Sequence, residues 1–369
     1  MTNQPPDSVA TPYRPLFSPH VLAGSSAVSA ASKRAQPRIA VLLPTYNGAR
    51  YVEEQVASLA RNCASFTLHW LDDHSTDNTR EVVRSAALRA GIELREWHQP
   101  NHVGYPSCFY QLLECADADI YLYCDQDDIW QPGKIDATAA NLLGDLATPA
   151  LCFSDSLMFY EEQPQTFIRL SKVFGVATRV AMRESQSLFP LVCAGHSQGL
   201  TRPLRDILLT HKEIACKYSF AHDLWTYLIA VVTGTTRMLS DVPVALYRRH
   251  TASFSEFFFS GKSAGKLWGL IQTLRLALAR HAQGFLLASE TLPQGAKLER
   301  LVAIARLAAT IDRRQPPTAM IRLMRRGALW PSRWLAISQT IVCLLSDAAS
   351  PPTQTLAHRD ATNAAVAES

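Results

Sequence analysis

Short apolar runs alternating with stretches of helical spacing constrain this chain most, because nearly every run ends in a polar cluster. Residues 38–43 (RIAVLL) are almost wholly apolar and are closed by Pro44, which reads as a buried strand. Residues 51–61 follow with Val52, Val56, Leu59 and Ala60 at helical spacing. The same reading predicts strands at 66–71 and 94–98, with a helix at 76–90 between them that Thr76 or Asp77 caps. A helix at 108–116 and a strand at 120–123 complete the alternation. That order implies βαβ units and a mostly parallel sheet, an α/β fold. Open sheets of this kind bind ligands beyond the carboxyl ends of their strands, which is where the polar clusters fall.

Further along, 151–159 reads as a strand, 169–191 as loop or helix, 220–232 as a helix and 236–247 as strand-like. Residues 265–289 and 297–309 have amphipathic helical spacing, and a basic helical segment runs on past Pro316-Pro317 to about residue 347. The expected organisation is a flexible leader (1–36), an α/β domain (37–258), a basic amphipathic helical region (259–349) and a disordered tail (350–369). No internal repeat is visible.

With 47% hydrophobic and 18% charged residues the chain has material for a packed core, which excludes a disordered protein. A net charge of +4 does not indicate a nucleic-acid binder, and no nucleic-acid partner is expected. Its distribution is uneven: residues 262–350 hold 13 Lys/Arg against 4 Asp/Glu. Such a region suits an anionic membrane surface or a polyanionic acceptor, or else a solvated helical face. The eight cysteines lack C-x-x-C pairs and read as free thiols of a reducing compartment. No apolar signal-peptide core and no uninterrupted apolar run of spanning length occur; the best candidate, 334–345, is broken by Ser338, Gln339 and Thr340. A cytoplasmic protein, held peripherally on the inner membrane face, is the expectation.

Asp125-Gln126-Asp127-Asp128 is the sharpest chemical feature. Three carboxylates within four positions repel one another, and a hard divalent cation, Mn²⁺ or Mg²⁺, relieves that repulsion while a diphosphate completes its oxygen shell. In extended chain Asp125 and Asp127 point the same way, making them the candidate metal ligands. Asp72 and Asp73 follow the 66–71 strand and suit a base N–H or ribose hydroxyls, whereas Asp77 is explained as a helix cap. Pro44, Thr45, Tyr46 and Asn47 offer an aromatic face and polar groups to a nucleobase, or form a turn. Asp223, in His222-Asp223-Leu224-Trp225, is either a general base for an acceptor hydroxyl or a helix cap. Arg249 and His250 end a cationic set that can neutralise a diphosphate or simply be a basic turn. Residues 261–267 (GKSAGKL) fail as a phosphate loop because the glycines stand too close and Leu267 replaces the required hydroxyl.

In this order the motifs resemble family 2 glycosyltransferases, and among them the bacterial rhamnosyltransferase-like members. The resemblance runs over about 37–255 and rests on 41–48 (VLLPTYNG), 71–79 (LDDHSTDNT), 101–104 (NHVG), 123–134 (YCDQDDIWQPGK), 222–225 (HDLW) and 247–250 (YRRH). It implies a GT-A fold and an inverting transfer of a sugar, rhamnose for instance, from a dTDP- or UDP-sugar to a glycan or lipid-linked hydroxyl in cell-surface polysaccharide synthesis. It further implies that Thr45, Tyr46 and Asp73 hold the base with Asp72 nearby, and that Asp125 and Asp127 hold ribose and metal. Asp223 would then be the general base, and Arg249 and His250 would face the diphosphate. The segment 193–199 (CAGHSQG) departs from the family's Gly-Cys or Gly-Thr pattern, so Gly195 and His196 are placed only loosely near the acceptor. A nucleotidyltransferase and a non-catalytic sugar or membrane-surface binder are the competing readings.

Overall fold

The computed structural model describes residues 36–173, 193–219, 221–239, 245–250, 277 and 279–309. Its first half alternates as expected: β1 (Ile39–Thr45), α1 (Val52–Leu59), β2 (Thr67–Asp72), α2 (Thr79–Ala90), β3 (Glu93–Trp97), α3 (Ser107–Cys115) and β4 (Ile120–Tyr123). After β4 come β5 (Ile129–Trp130), α4 (Lys134–Leu142), β6 (Ala150–Phe153), β7 (Leu157–Tyr160), β8 (Gln163–Arg169) and β9 (Gly199–Thr201). The helix His222–Thr233 precedes β10 (Thr235–Met238) and β11 (Ala245–Arg249).

A seven-stranded sheet has the order β10-β6-β9-β4-β1-β2-β3. It is mixed: β4, β1, β2 and β3 pair in parallel, as do β10 and β6, whereas β9 runs antiparallel between β4 and β6. Helices cover both faces, and β1 shows why its sequence is an unbroken apolar run. Ala40 and Leu42 enter a core with Phe109, Tyr123 and Trp225, while Ile39, Val41 and Leu43 enter a second core with Val56, Leu68 and Trp130. A strand buried on both faces has no solvent side on which to alternate. α2 ends at Gly91, whose φ of 64° is the left-handed conformation that a helix C-terminus takes most easily at glycine.

Two expectations of single strands resolve into pairs. The 151–159 stretch splits into β6 and β7 around the buried Ser154, Asp155 and Ser156. There Asp155 accepts hydrogen bonds from Ser156 N and from Ser171 N and Oγ, so the polar residues are satisfied and the chain leaves the first sheet. Likewise 236–247 holds the end of β10 and the start of β11, which belong to different sheets; residues 240–244 lie outside the described set. The smaller sheet has the order β5-β11-β7-β8, with β11 antiparallel to β5 and parallel to β7. Most of the 169–191 stretch and of the 259–349 region also lies outside the described residues. Within the latter, the helical residues 279–288 and the helix Ala296–Ala309 bring Ala282, Phe285, Leu301 and Ile304 into the core that holds Trp225 and Leu228. Among the described residues no helix is long and apolar enough to cross a membrane.

Candidate functional site

Three loops meet beyond the carboxyl ends of β1, β2 and β4. Thr45, buried as the last residue of β1, accepts a hydrogen bond from Trp70 Nε1 (3.0 Å) and donates to Asp72 Oδ1 (2.9 Å). Asp72 also accepts from Ser75 N (3.0 Å), Ser75 Oγ (2.6 Å) and Arg80 Nε (2.7 Å). Burial works against its charge, but the hydrogen bonds from Ser75, Arg80 and Thr45 hold the carboxyl below its ordinary range. Asp73 is buried too, and accepts from Val103 N (2.9 Å), Gly104 N (2.7 Å) and the Gln99 amide. Both carboxylates therefore shape the pocket from inside: Asp72 ties β1 to α2, and Asp73 ties β2 to the 99–104 loop. Pro44 is buried in β1, and Asn47 adopts a φ of 46° while its Oδ1 accepts Thr76 N. Of this group Tyr46 presents its ring to solvent, 48% exposed, with the His102 ring 4.8 Å away.

The acidic loop is positioned by the smaller sheet. β4 ends at Tyr123, the chain turns through 125–128, and β5 pairs with β11 in a register that sets Leu246 against Ile129. Arg248 N consequently donates to Asp128 Oδ1 (3.1 Å), Arg248 Nε donates to the Asp127 carbonyl (2.9 Å), and His250 Nε2 lies 2.9 Å from Asp127 Oδ2. Two residues of the cationic set thus face the acidic loop. Arg249, one position out of phase, is fully buried with Nη1 3.3 Å from Tyr247 Oη.

The loop's carboxylates have separate surroundings. Asp127 turns toward His250, whereas Asp125, Asp128 and His196 bring ligand-type atoms within 4.8 Å of one another. Asp128 is buried outright, and that burial, with repulsion from Asp127 and Asp125, pushes its carboxyl well above the ordinary range. Burial also opposes charge on Asp125, yet His196, His222 and Lys134 together hold its carboxyl below the usual range. Lys134 is the built-in counter-charge: it is buried, its Nζ stands 3.3 Å from the Trp130 ring centre, and burial brings its pKa down to about 7. Gln126 is a strut, its Oε1 accepting Tyr46 N (2.9 Å) and its Nε2 donating to Tyr46 O (3.1 Å).

Asp223 reaches the same crevice from the first turn of the helix His222–Thr233. Its Oδ2 accepts Gly195 N (3.0 Å) and its Oδ1 accepts Leu224 N (2.8 Å). Burial raises its pKa from 3.8 to about 6, only partly offset by those backbone donors. Gly195 is required by close approach, since a Cβ there would stand 2.6 Å from His222 Nε2. The His222 ring stacks on Phe109 at 3.8 Å, and burial lowers its pKa to about 4. The loosely placed pair thus separates: Gly195 orients Asp223, and His196 joins the acidic loop.

Sequence reasoning gives no role to Gln126 or Lys134, counts Asp128 only within the acidic cluster, and sets His196 near the acceptor instead of the acidic loop. Lys134 had a signal, since it closes the same motif as Asp125, begins the next helix and turns its ammonium back toward the carboxylates. His196 had none. It lies far along the chain from Asp125, Asp127 and Asp128, and the antiparallel pairing of β9 with β4 removes that distance in space.

Residues 40–176 match the family described as Glycosyl transferase family 2. A dTDP-rhamnosyl transferase of Shigella flexneri, RfbG, is 25% identical over 242 residues, which cover 62% of this chain and 79% of that one. An uncharacterized glycosyltransferase of Nostoc is 30% identical over 99 residues, 27% of this chain; the match spans only 30% of the Nostoc protein's length. Among solved structures, residues 1–349 of S. aureus TarS in complex with UDP-GlcNAc align with a TM-score of 0.50 at 14% identity, covering 87% of this chain and 95% of that one. That likeness is one of fold, and the mixed sheet flanked by helices is the expected GT-A architecture.

Proposed function

We propose that this chain, whose residues 40–176 match glycosyltransferase family 2, transfers a sugar from a nucleoside-diphosphate donor to an acceptor hydroxyl with inversion. The observation that carries the reading is Asp223, held at the crevice by Gly195 N and raised to about 6 by burial, on the same crevice as the acidic loop. A carboxylate so poised is charged at neutral pH yet basic enough to take a hydroxyl proton. In a single displacement Asp223 receives that proton, the hydroxyl oxygen attacks the anomeric carbon, and the diphosphate leaves from the opposite face. Thr45, Tyr46 and Asn47 line the base pocket that Pro44, Asp72 and Asp73 shape, and Asp125 takes the ribose.

The donor set fits a divalent cation, Mn²⁺ or Mg²⁺. The Asp125, Asp128 and His196 atoms already have Lys134 as counter-charge, whereas Asp127 Oδ2 and His250 Nε2 converge at 2.9 Å without a lysine between them. Asp127 and His250 would therefore hold the ion, with Asp125 two residues back along the same loop. Bound there, it supplies positive charge to the departing diphosphate.

The finer assignment is rhamnose from a dTDP- or UDP-linked donor to a glycan or lipid-linked acceptor of the cell surface; the Shigella relative supports it. The excess of Lys/Arg in 262–350 supports a cytoplasmic protein attached peripherally to the membrane through its C-terminal region. Extraction of the membrane fraction with high salt should release it, and a protein already soluble at low salt overturns the attachment. The reaction is tested by incubating purified protein with a panel of nucleotide sugars and Mn²⁺ or Mg²⁺, with and without EDTA. Release of nucleoside diphosphate from one donor, abolished by EDTA, is expected. Neither binding nor turnover across the panel overturns the proposal.

A further inference from the structure

The side chain of His196 joins more of the site than any role above gives it. It is 2% exposed, and its Nδ1 lies 3.1 Å from Asp128 Oδ2 and 3.7 Å from Asp125 Oδ2. Its Nε2 lies 2.7 Å from Ser156 Oγ, between β6 and β7. The ring stacks on Tyr247 of β11, with centroids 5.0 Å apart and planes at 23°. Its carbonyl oxygen accepts the Lys134 ammonium. Both sheets and the loop between β4 and β5 therefore converge on one imidazole.

Asp128, His196 and Ser156 stand in the order of a hydrolytic triad, but their exposures of 0%, 2% and 1% close Ser156 Oγ to any substrate. The arrangement can orient and cannot attack. The Asp125 carboxylate on the Nδ1 side favours the tautomer with its proton there, which leaves Nε2 to accept from the Ser156 hydroxyl. Ser156 thereby sets the ring, and the ring sets the carboxylates.

We infer that His196 is a positioning residue that acts through Asp125, its Nδ1 end aiming that carboxylate at the vicinal hydroxyls of the donor's ribose. This rests on the nucleotide-sugar reading above. Asp128, buried behind it, completes the cradle, and Asp127 is left to His250.

Asparagine and glutamine separate this role from plain packing. The amide nitrogen of Asn occupies the place of Nδ1, whereas that of Gln reaches the place of Nε2. Calorimetric titration with dTDP and with UDP, each with Mn²⁺, reads nucleotide affinity directly, and melting curves of each variant establish that it folds. His196→Gln should weaken the nucleotide that the wild type binds by about 10-fold, the scale of a close electrostatic contact at 3.7 Å, and His196→Asn by less than about 3-fold. In an Asp125→Asn background the His196→Gln step should change affinity by less than about 2-fold, because the carboxylate it acts through is gone. Equal losses for Asn and Gln, or a Gln loss that persists without Asp125, overturn the inference alone. A wild type that binds neither nucleotide overturns the donor reading and this inference with it.

Discussion

The aspartates at the end of β2 and two of the crevice, Asp128 and Asp223, are the same residue type at the same end of one sheet, yet they are built in opposite ways. Asp72 accepts from Thr45, Ser75 and Arg80, and Asp73 from Val103, Gly104 and Gln99. Asp223 has two backbone donors and a pKa raised to about 6, and Asp128 is pushed well above the ordinary range by burial and by its acidic neighbours. Saturated carboxylates stabilise the fold at the expense of reactivity. Under-compensated ones do the reverse, which is the usual mark of a functional site.

The sharpest way to break this comparison is Asp223→Asn. Transfer should fall by about 10³-fold, within the range for a lost general base. Wild-type turnover should decline about tenfold per pH unit below about 6, as Asp223 takes up its proton. Stability should move the other way. A carboxyl raised in the folded state contributes stability below its unfolded value of 3.8 that is lost as pH rises through about 6. The variant should therefore match or exceed the wild type in unfolding free energy at pH 8, by up to about 3 kcal/mol. A variant much less stable at pH 8 would make Asp223 a structural residue like Asp72.

Next in size is Asp127→Asn, for which metal-dependent release of nucleoside diphosphate should fall by about 10²-fold, with little change in melting temperature. Full retention of the EDTA-sensitive rate would remove Asp127 from the metal site. Asp72→Asn should reverse that pattern and cost about 1.5–3 kcal/mol at neutral pH, measured by urea unfolding. Because the Asp72 pKa is depressed, its contribution is present above the unfolded value of 3.8 and is lost as pH falls through the folded one. The gap between wild type and variant should close in acid, and a gap independent of pH would contradict the assignment. The smallest effect is expected of Gly195→Ala, whose Cβ would press on His222 Nε2, at about 1–3 kcal/mol and a lower turnover through Asp223. Unchanged turnover would show that Gly195 does not orient that carboxylate.

Much of the fold was legible, and particular elements show why. β1 and β4 are short, apolar and closed by polar residues, because each is covered on both faces. β9 was not legible: three residues, Gly199–Thr201, carry too little pattern, and their place between β4 and β6 depends on a long excursion of chain. In the site, Asp125, Asp127 and Asp223 stood out because clustered or motif-borne carboxylates are conspicuous in sequence. Their partners did not, because a buried lysine or histidine has no local pattern that distinguishes it from a surface one.

By itself the sequence determined the strand and helix alternation, the crevice end of the sheet and the identity of the acidic residues, all of which follow from local periodicity and charge. Tertiary structure alone decided which carboxylates are saturated and which are left reactive. That depends on partners from distant segments, such as Gly195 for Asp223, Arg248 for Asp128 and His196 for Asp125. A carboxyl group's pKa is set by what surrounds it in space, and only the folded chain supplies those surroundings.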